Sequence, residues 1–313
     1  MDSRGTKLES VTMFSWFISI VLLGCTWRAV LCDDSEVSYT FYSKFGTESF
    51  LPGKSCADIY QISKASRGRS GYYWIRTTSL VRVYCDMELE CGGVKGGWMR
   101  IAYLDMAQGH SCPSPWSRII IPGTSKEVCR TPDDAGCYSV TYSTHGMNYN
   151  KICGKVRGYQ KGSTDAFHSA VKGGKSINNV YADGISITFG NPRKHVWTYA
   201  AGFTDDGNYP HYNCPCAHIP GPDPPSFVGD HYYCDSGDTG SYDVSAYYSG
   251  DVLWDGKQCH GSNNNCCTST DMPWFFRQLA RSVNGENMEV RNCHLETFSD
   301  EDTLVEGLEL YVQ

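Results

Sequence analysis

Cysteine sets the strongest constraint on what this chain can fold into. Its 313 residues contain 16 cysteines, and their use depends on how the N-terminus is read. Arg4 and Lys7 precede a short apolar core, Met13 to Leu23; Val30 and Cys32 then sit suitably for cleavage before Asp33. Residues 1–32 therefore read as a secretory signal peptide. A membrane anchor fits less well, because the run is short and is broken by serines and Arg28. Setting Cys25 and Cys32 aside leaves fourteen cysteines, an even number that allows seven disulfides. So many thiols in a secreted chain predict an oxidising, extracellular setting. No later segment is apolar enough to predict a membrane span in the mature protein.

Charge narrows the partners. From Asp33 onward the chain keeps 24 of its 27 Lys+Arg and 32 of its 34 Asp+Glu, a net charge of −8. No basic block exists to hold nucleic acid. The balance is also far from the poly-aspartate character of a mineral-templating tail. Thirty-two glycines, twenty-one tyrosines and few long helical patterns predict an α+β fold, with short strands and few short helices. Such a disulfide-rich chain relies on cross-links as well as on core packing.

The densest structural signal lies in residues 52–104, after a polar-aromatic arm at 33–51. Ser55 is placed to cap a turn or short helix that begins at Cys56. Tyr72 to Arg76 and Leu80 to Cys85 are aromatic and β-branched runs separated by Thr77-Thr78-Ser79, a hairpin signal. In the second run Val81, Val83 and Cys85 share one face, while Arg82 and Tyr84 share the other. Gly92-Gly93 and Gly96-Gly97 allow a tight backbone before a third strand from Trp98 to Leu104.

The order Ser-Cys-x-Asp-Ile, Gly-Tyr-Tyr-x-Ile, Val-Tyr-Cys-Asp-Met and Gly-Gly-Trp resembles the opening of a fibrinogen C-terminal-related domain. That resemblance implies a fibrinogen-like module at 52–104 and a disulfide between Cys56 and Cys85. The remainder, 105–313, departs from the family pattern and reads as a divergent Cys-rich continuation. It is similar instead to secreted cnidarian proteins of the coral skeletal organic matrix. Tyr-Ala-Ala-Gly-Phe-Thr-Asp-Asp (199–206), Tyr-Asn-Cys-Pro-Cys-Ala (212–217) and Val-Leu-Trp-Asp-Gly-Lys-Gln-Cys-His (252–260) carry this likeness, with Glu-Val-Arg-Asn-Cys (289–293).

Along the remainder, Cys112-Pro113 opens a loop-rich part. Strands are predicted at Cys137–Tyr142, His195–Ala200 and Met288–Cys293, and a hairpin joins Val180-Tyr181 to Ile185–Phe189 around Asp183-Gly184. Short helices are predicted at 163–170 and, capped by Asp271, from Pro273 to Arg281. Pro220 to Pro225 reads as a surface loop. Leu308, Leu310 and Val312 face one way and predict a closing strand in the core.

Four patterns bear on chemistry. Asp238-Thr239-Gly240-Ser241 matches the aspartic protease tetrapeptide but lacks the second carboxylate that this chemistry shares a proton with. Cys234-Asp235-Ser236-Gly237 brushes a serine protease motif without a histidine partner segment. His211, Cys214, Cys216 and His218 have zinc-ligand spacing, although in a secreted chain such cysteines more often form disulfides. Asp235, Asp238, Asp243 and Asp251, separated by glycines, suit calcium, with a solvated turn as the plainer reading. Asp205-Asp206 is a weaker version of the same pattern. Tyrosines 209, 212, 232, 233, 242, 247 and 248 crowd the same half and suit sugar or protein contacts. There is no Asn-x-Ser/Thr sequon.

The expectation is a secreted, non-enzymatic extracellular matrix protein. The coral resemblance implies a place in a calcified skeletal organic matrix, and hence biomineralisation. Matrix proteins, glycans or calcium carbonate would be its partners, with calcium as a possible cofactor. The alternative is a soluble lectin-like protein that binds glycans with calcium assistance.

Overall fold

A computed structural model describes residues 42–132, 134–161, 176–178, 184–201, 227, 232–235, 274–294 and 302–313. Helix is scarce among them. Ser55 accepts a hydrogen bond from the Asp58 amide and caps α1 (Cys56–Ile62), the only α-helix of more than one turn there. The strands follow in chain order: β1 (Gly71–Arg76), β2 (Leu80–Asp86), β3 (Glu90–Cys91), β4 (Val94–Lys95), β5 (Trp98–Asp105), β6 (Ser117–Ile120), β7 (Glu127–Arg130), β8 (Gly136–Tyr142) and β9 (Asn148–Lys161). Beyond the first undescribed stretches come β10 (Gly184–Phe189), β11 (Lys194–Ala201), β12 (Tyr232–Asp235), β13 (Phe275–Asn284), β14 (Met288–His294) and β15 (Asp302–Val312). The α+β expectation is corrected accordingly: the fold is mostly β-sheet.

Two sheets share the core. The larger places β15 at its centre, with β9 and then β13 along one edge. On the other edge lie β5, β2 and β1 in order, and β7 with β6 joins at Val305↔Cys129. The smaller sheet runs β12-β11-β10-β14-β8, antiparallel except for the β11–β12 pair. Leu308, Leu310 and Val312 of β15 form one apolar cluster with Ile185, Ile187 and Val290 of the smaller sheet. The closing strand is thus the centre of the larger sheet. Because β15 pairs with β5, the 52–104 segment is built into the same sheet as the C-terminus.

Local sequence explains the hairpin at the start. Tyr73, Ile75, Val83 and Cys85 are buried on one face, as alternation predicts. Phe45 is also in the core, and the Trp74 amide donates to the Gly46 carbonyl, so this part of the lead-in is fastened to β1. Gly96 and Gly97 have φ of 67° and 74°, and a Cβ at Gly96 would meet the Tyr60 ring at 2.3 Å. Only glycine lets the chain pass so close beneath α1.

The helix expected from Pro273 to Arg281 is overturned: Phe275–Asn284 is strand β13. The spacing of Phe275, Phe276 and Leu279 mimics a helical stripe, but both faces of β13 are covered here. Phe275 stacks on Trp197 at 4.6 Å and Phe276 meets Trp98 edge-on at 6.3 Å. Adjacent aromatics on opposite faces are what a strand buried on both sides accommodates. The part after Cys112 is also less loop-like than expected, since it supplies β6 and β7. Ile185–Phe189 is a strand as predicted, but β11 and β14 fill its two edges. Residues 163–170, 180–181 and 220–225 lie outside the described residues, as does the signal segment 1–32.

Candidate interaction surface

The outer face of the larger sheet concentrates aromatic and cationic side chains. Alternation sends Tyr72, Trp74 and Arg76 outward from β1, and Arg82 and Tyr84 outward from β2. On β5 the pairing with β15 shifts between Leu310 and Tyr311, so Ile101 is an extra residue. That bulge lets Arg100 and Tyr103 share the outer face although they are three positions apart. Arg100 lies between two tyrosines, with its guanidinium carbon 3.8 Å from the Tyr84 ring centre and 4.2 Å from that of Tyr103. Arg82 lies over Tyr72 at 5.4 Å, and Tyr72 meets Tyr84 edge-on at 5.6 Å. Tyr103 packs against His110 at 4.9 Å. The result is one continuous row: Arg82, Tyr72, Tyr84, Arg100, Tyr103, His110.

Solvent reaches this row. Tyr72 is 59 % exposed, an unusual state for so large a ring. The neighbouring part of the same face is closed, because Trp98 and Tyr311 are buried with Phe276 and Trp274 against it. Asp86, Glu88 and Glu309 are the acids near the row, and two of them accept hydrogen bonds from other groups. Asp86 accepts from the Ser70 hydroxyl at 3.0 Å and from the amides of Glu88 and Leu89. Glu309 accepts from the Tyr311 hydroxyl at 2.8 Å. Partial burial, then the nearby Asp86 charge, raises the pKa of Tyr84 despite the opposing pull of Arg100. Its hydroxyl therefore stays a neutral donor at physiological pH. Arg82 and Arg100 form no ion pair with a carboxylate among the described residues.

Two other polar clusters are structural. On the larger sheet Arg157 pairs with Glu306 at 3.1 Å, and the Tyr159 hydroxyl donates to Glu306 at 2.6 Å. On the smaller sheet Glu289 accepts from both arms of Arg193 at 2.6 and 2.9 Å, and from Thr188 at 2.8 Å. Burial raises the Glu289 pKa, but hydrogen bonds from Arg193, Ser139 and Thr188 outweigh it and hold the carboxyl at about 2. Thr198 stands within 3.2 Å of both Ser186 and the His195 Nδ1. All three side chains are buried, so this contact links β10 to β11 inside the protein rather than forming an open nucleophile and base.

Among the described residues the disulfides are Cys56–Cys85, Cys91–Cys153, Cys112–Cys129 and Cys137–Cys293. The first ties α1 to β2 beneath the tyrosine row. The second ties the β3–β4 hairpin to β9, and the fourth joins paired residues of β8 and β14. Cysteines 214, 216, 259, 266 and 267 lie outside the described residues, and Cys234 is described only in backbone, within β12.

Of the predicted calcium set, Asp235 ends β12, where its backbone pairs with Ala201. Asp238, Asp243 and Asp251 lie outside the described residues. So do Asp205, Asp206 and the zinc candidates His211, Cys214, Cys216 and His218, along with Tyr209, Tyr212, Tyr242, Tyr247 and Tyr248. Among the described residues no three His, Cys, Asp or Glu side chains converge on a metal site. No helix among them is long and apolar enough to cross a membrane. The tyrosine–arginine row was missed as a unit, although the shared face of Arg82 and Tyr84 was legible. No protein-family model and no curated protein matches the chain.

Proposed function

We propose that this chain is a secreted, non-enzymatic extracellular matrix protein that adheres through the outer face of its larger sheet. The solvent-open row from Arg82 to His110 carries the reading, because amphipathic aromatics and guanidinium groups on a rigid sheet favour adhesion over chemistry. Four disulfides support a chain oxidised outside the cell. The likeness of the C-terminal sequence to coral skeletal proteins points to a calcified organic matrix. Binding of the oxidised secreted chain to calcium carbonate, and its recovery from bleached mineral, tests this. A protein washed fully from the mineral by bleach would sink it, and turnover of a peptide or ester would overturn its non-enzymatic character.

The exposure of Tyr72 favours a second reading, a lectin-like protein that binds glycans. The aspartates at 235, 238, 243 and 251 would then supply calcium assistance. Glycan binding abolished by a chelator supports that version, and chelator-insensitive binding removes calcium from it.

A further inference from the structure

The outer row also has a charge logic that narrows its partner. Arg100 has its guanidinium carbon over the rings of both Tyr84 and Tyr103, so the two aromatic neighbours restrict it while leaving its N–H groups available as donors. Arg82 repeats the arrangement over Tyr72. A guanidinium usually meets a carboxylate, yet of the nearby acids Asp86 accepts through Oδ1 from Ser70, Glu88 and Leu89 and Glu309 accepts from Tyr311, and neither they nor Glu88 forms an ion pair with Arg82 or Arg100 among the described residues. Among the described residues these two guanidinium groups are thus left without a paired carboxylate, on a protein that is acidic overall. Arg82 is exposed and Arg100 half-buried, and Arg76 adds another exposed charge at the end of β1. At the usual strand spacing of about 4.8 Å, β1 to β5 spans roughly 10 Å, so an occupant must be extended rather than a single small ion.

We propose that this row binds a sulfated polysaccharide. Sulfate oxygens would take the N–H groups of Arg82 and Arg100, and a sugar ring would lie against Tyr72. A planar guanidinium fork suits an oxyanion, and prior stacking lowers the entropy lost when it binds. The exposed ring of Tyr72 offers an apolar body with a hydroxyl handle to the C–H face of a sugar. An acidic peptide offers the same charge but no rigid ring for Tyr72 to cover. The inference rests on the adhesion reading, and it specifies the polymer that the face adheres to.

The test uses the full secreted, oxidised chain with immobilised sulfated polysaccharide, the same polymer after desulfation, and a poly-glutamate peptide. Binding to the sulfated polymer should fall as salt rises. The Arg82→Gln/Arg100→Gln pair should weaken it roughly tenfold or more, with an unchanged melting temperature. Arg82→Lys/Arg100→Lys should recover only part of the loss, since lysine keeps charge without the plane. Tyr72→Ala should weaken binding without altering its salt dependence. Equal binding of the desulfated polymer would overturn the sulfate assignment and leave the adhesion reading standing. Equal binding of poly-glutamate, or full binding by either arginine pair variant, would overturn the proposal. No binding to any glycan or to calcium carbonate would sink both.

Discussion

The two sheets treat their polar faces in opposite ways. On β1 and β2 alternation yields one buried and one open face: Tyr73 and Ile75 are inside, and Tyr72 and Arg76 are in water. On β10 every residue from Gly184 to Phe189 is buried, including Ser186 and Thr188. There the polar face is satisfied inside the protein, through Thr188 to Glu289 and Arg193, and Ser186 to Thr198. Arg291 likewise donates to the Ile177 carbonyl at 3.0 Å. A buried polar face must be fully partnered to be tolerated, whereas an open one is free to keep unmatched donors. The smaller sheet is therefore where polar substitutions cost stability, and the larger sheet's outer face is where they cost binding.

The largest effect that this contrast predicts is at the staple of the smaller sheet. Replacing both Cys137 and Cys293 with alanine opens a link between residues 156 apart in sequence, and should cost about 4–5 kcal/mol. Urea unfolding measures it, and a loss below about 1 kcal/mol would mean the sheet does not need its staple. The corresponding staple beneath the open face, Cys56–Cys85, closes a separation of 29 and should cost about 3–4 kcal/mol. Non-reducing peptide mapping checks both pairings, and Cys85 joined to Cys91 or Cys112 would refute the second.

Glu289→Gln comes next, at about 1–2 kcal/mol near neutral pH, because it removes a charge-assisted pair from a partly buried position. The pH dependence has a definite sign. The carboxyl sits at about 2 instead of 4.5, so its contribution is complete above about 4.5 and is lost as pH falls towards 2. The stability gap between wild type and Glu289→Gln should close across that window. A gap that stays constant to pH 2 would show that the carboxylate charge is not what stabilises the site.

The smallest expected effect is the sharpest test of the comparison. Tyr72→Ala on the open face should change stability by no more than about 0.5 kcal/mol. A loss above about 1 kcal/mol would show that Tyr72 is packed in the folded protein, and the two faces would no longer differ in kind.

By itself the sequence determined the local elements whose cause is local. Ser55 capping α1, the hairpin around Thr77 to Ser79, the glycine pairs before β5 and the inward Leu308 and Leu310 on either side of Glu309 in β15 follow from capping, turn chemistry and period-2 burial, whereas β14 is legible as a strand but is buried on both faces. Tertiary structure decided whatever depended on the identity of a distant neighbour. Phe275 and Phe276 read as part of a helical stripe until Trp197 and Trp98 cover opposite sides of one strand. Ile185 to Phe189 could be placed as a strand, but that Ser186 and Thr188 lie inside depends on Thr198 and Glu289, which receive them. The candidate surface lies on the same divide. Arg82 and Tyr84 could be placed on one face from the sequence, but the clamp of Tyr84 and Tyr103 on Arg100 needs the bulge at Ile101. That bulge appears only when β15, two hundred residues further along the chain, pairs with β5.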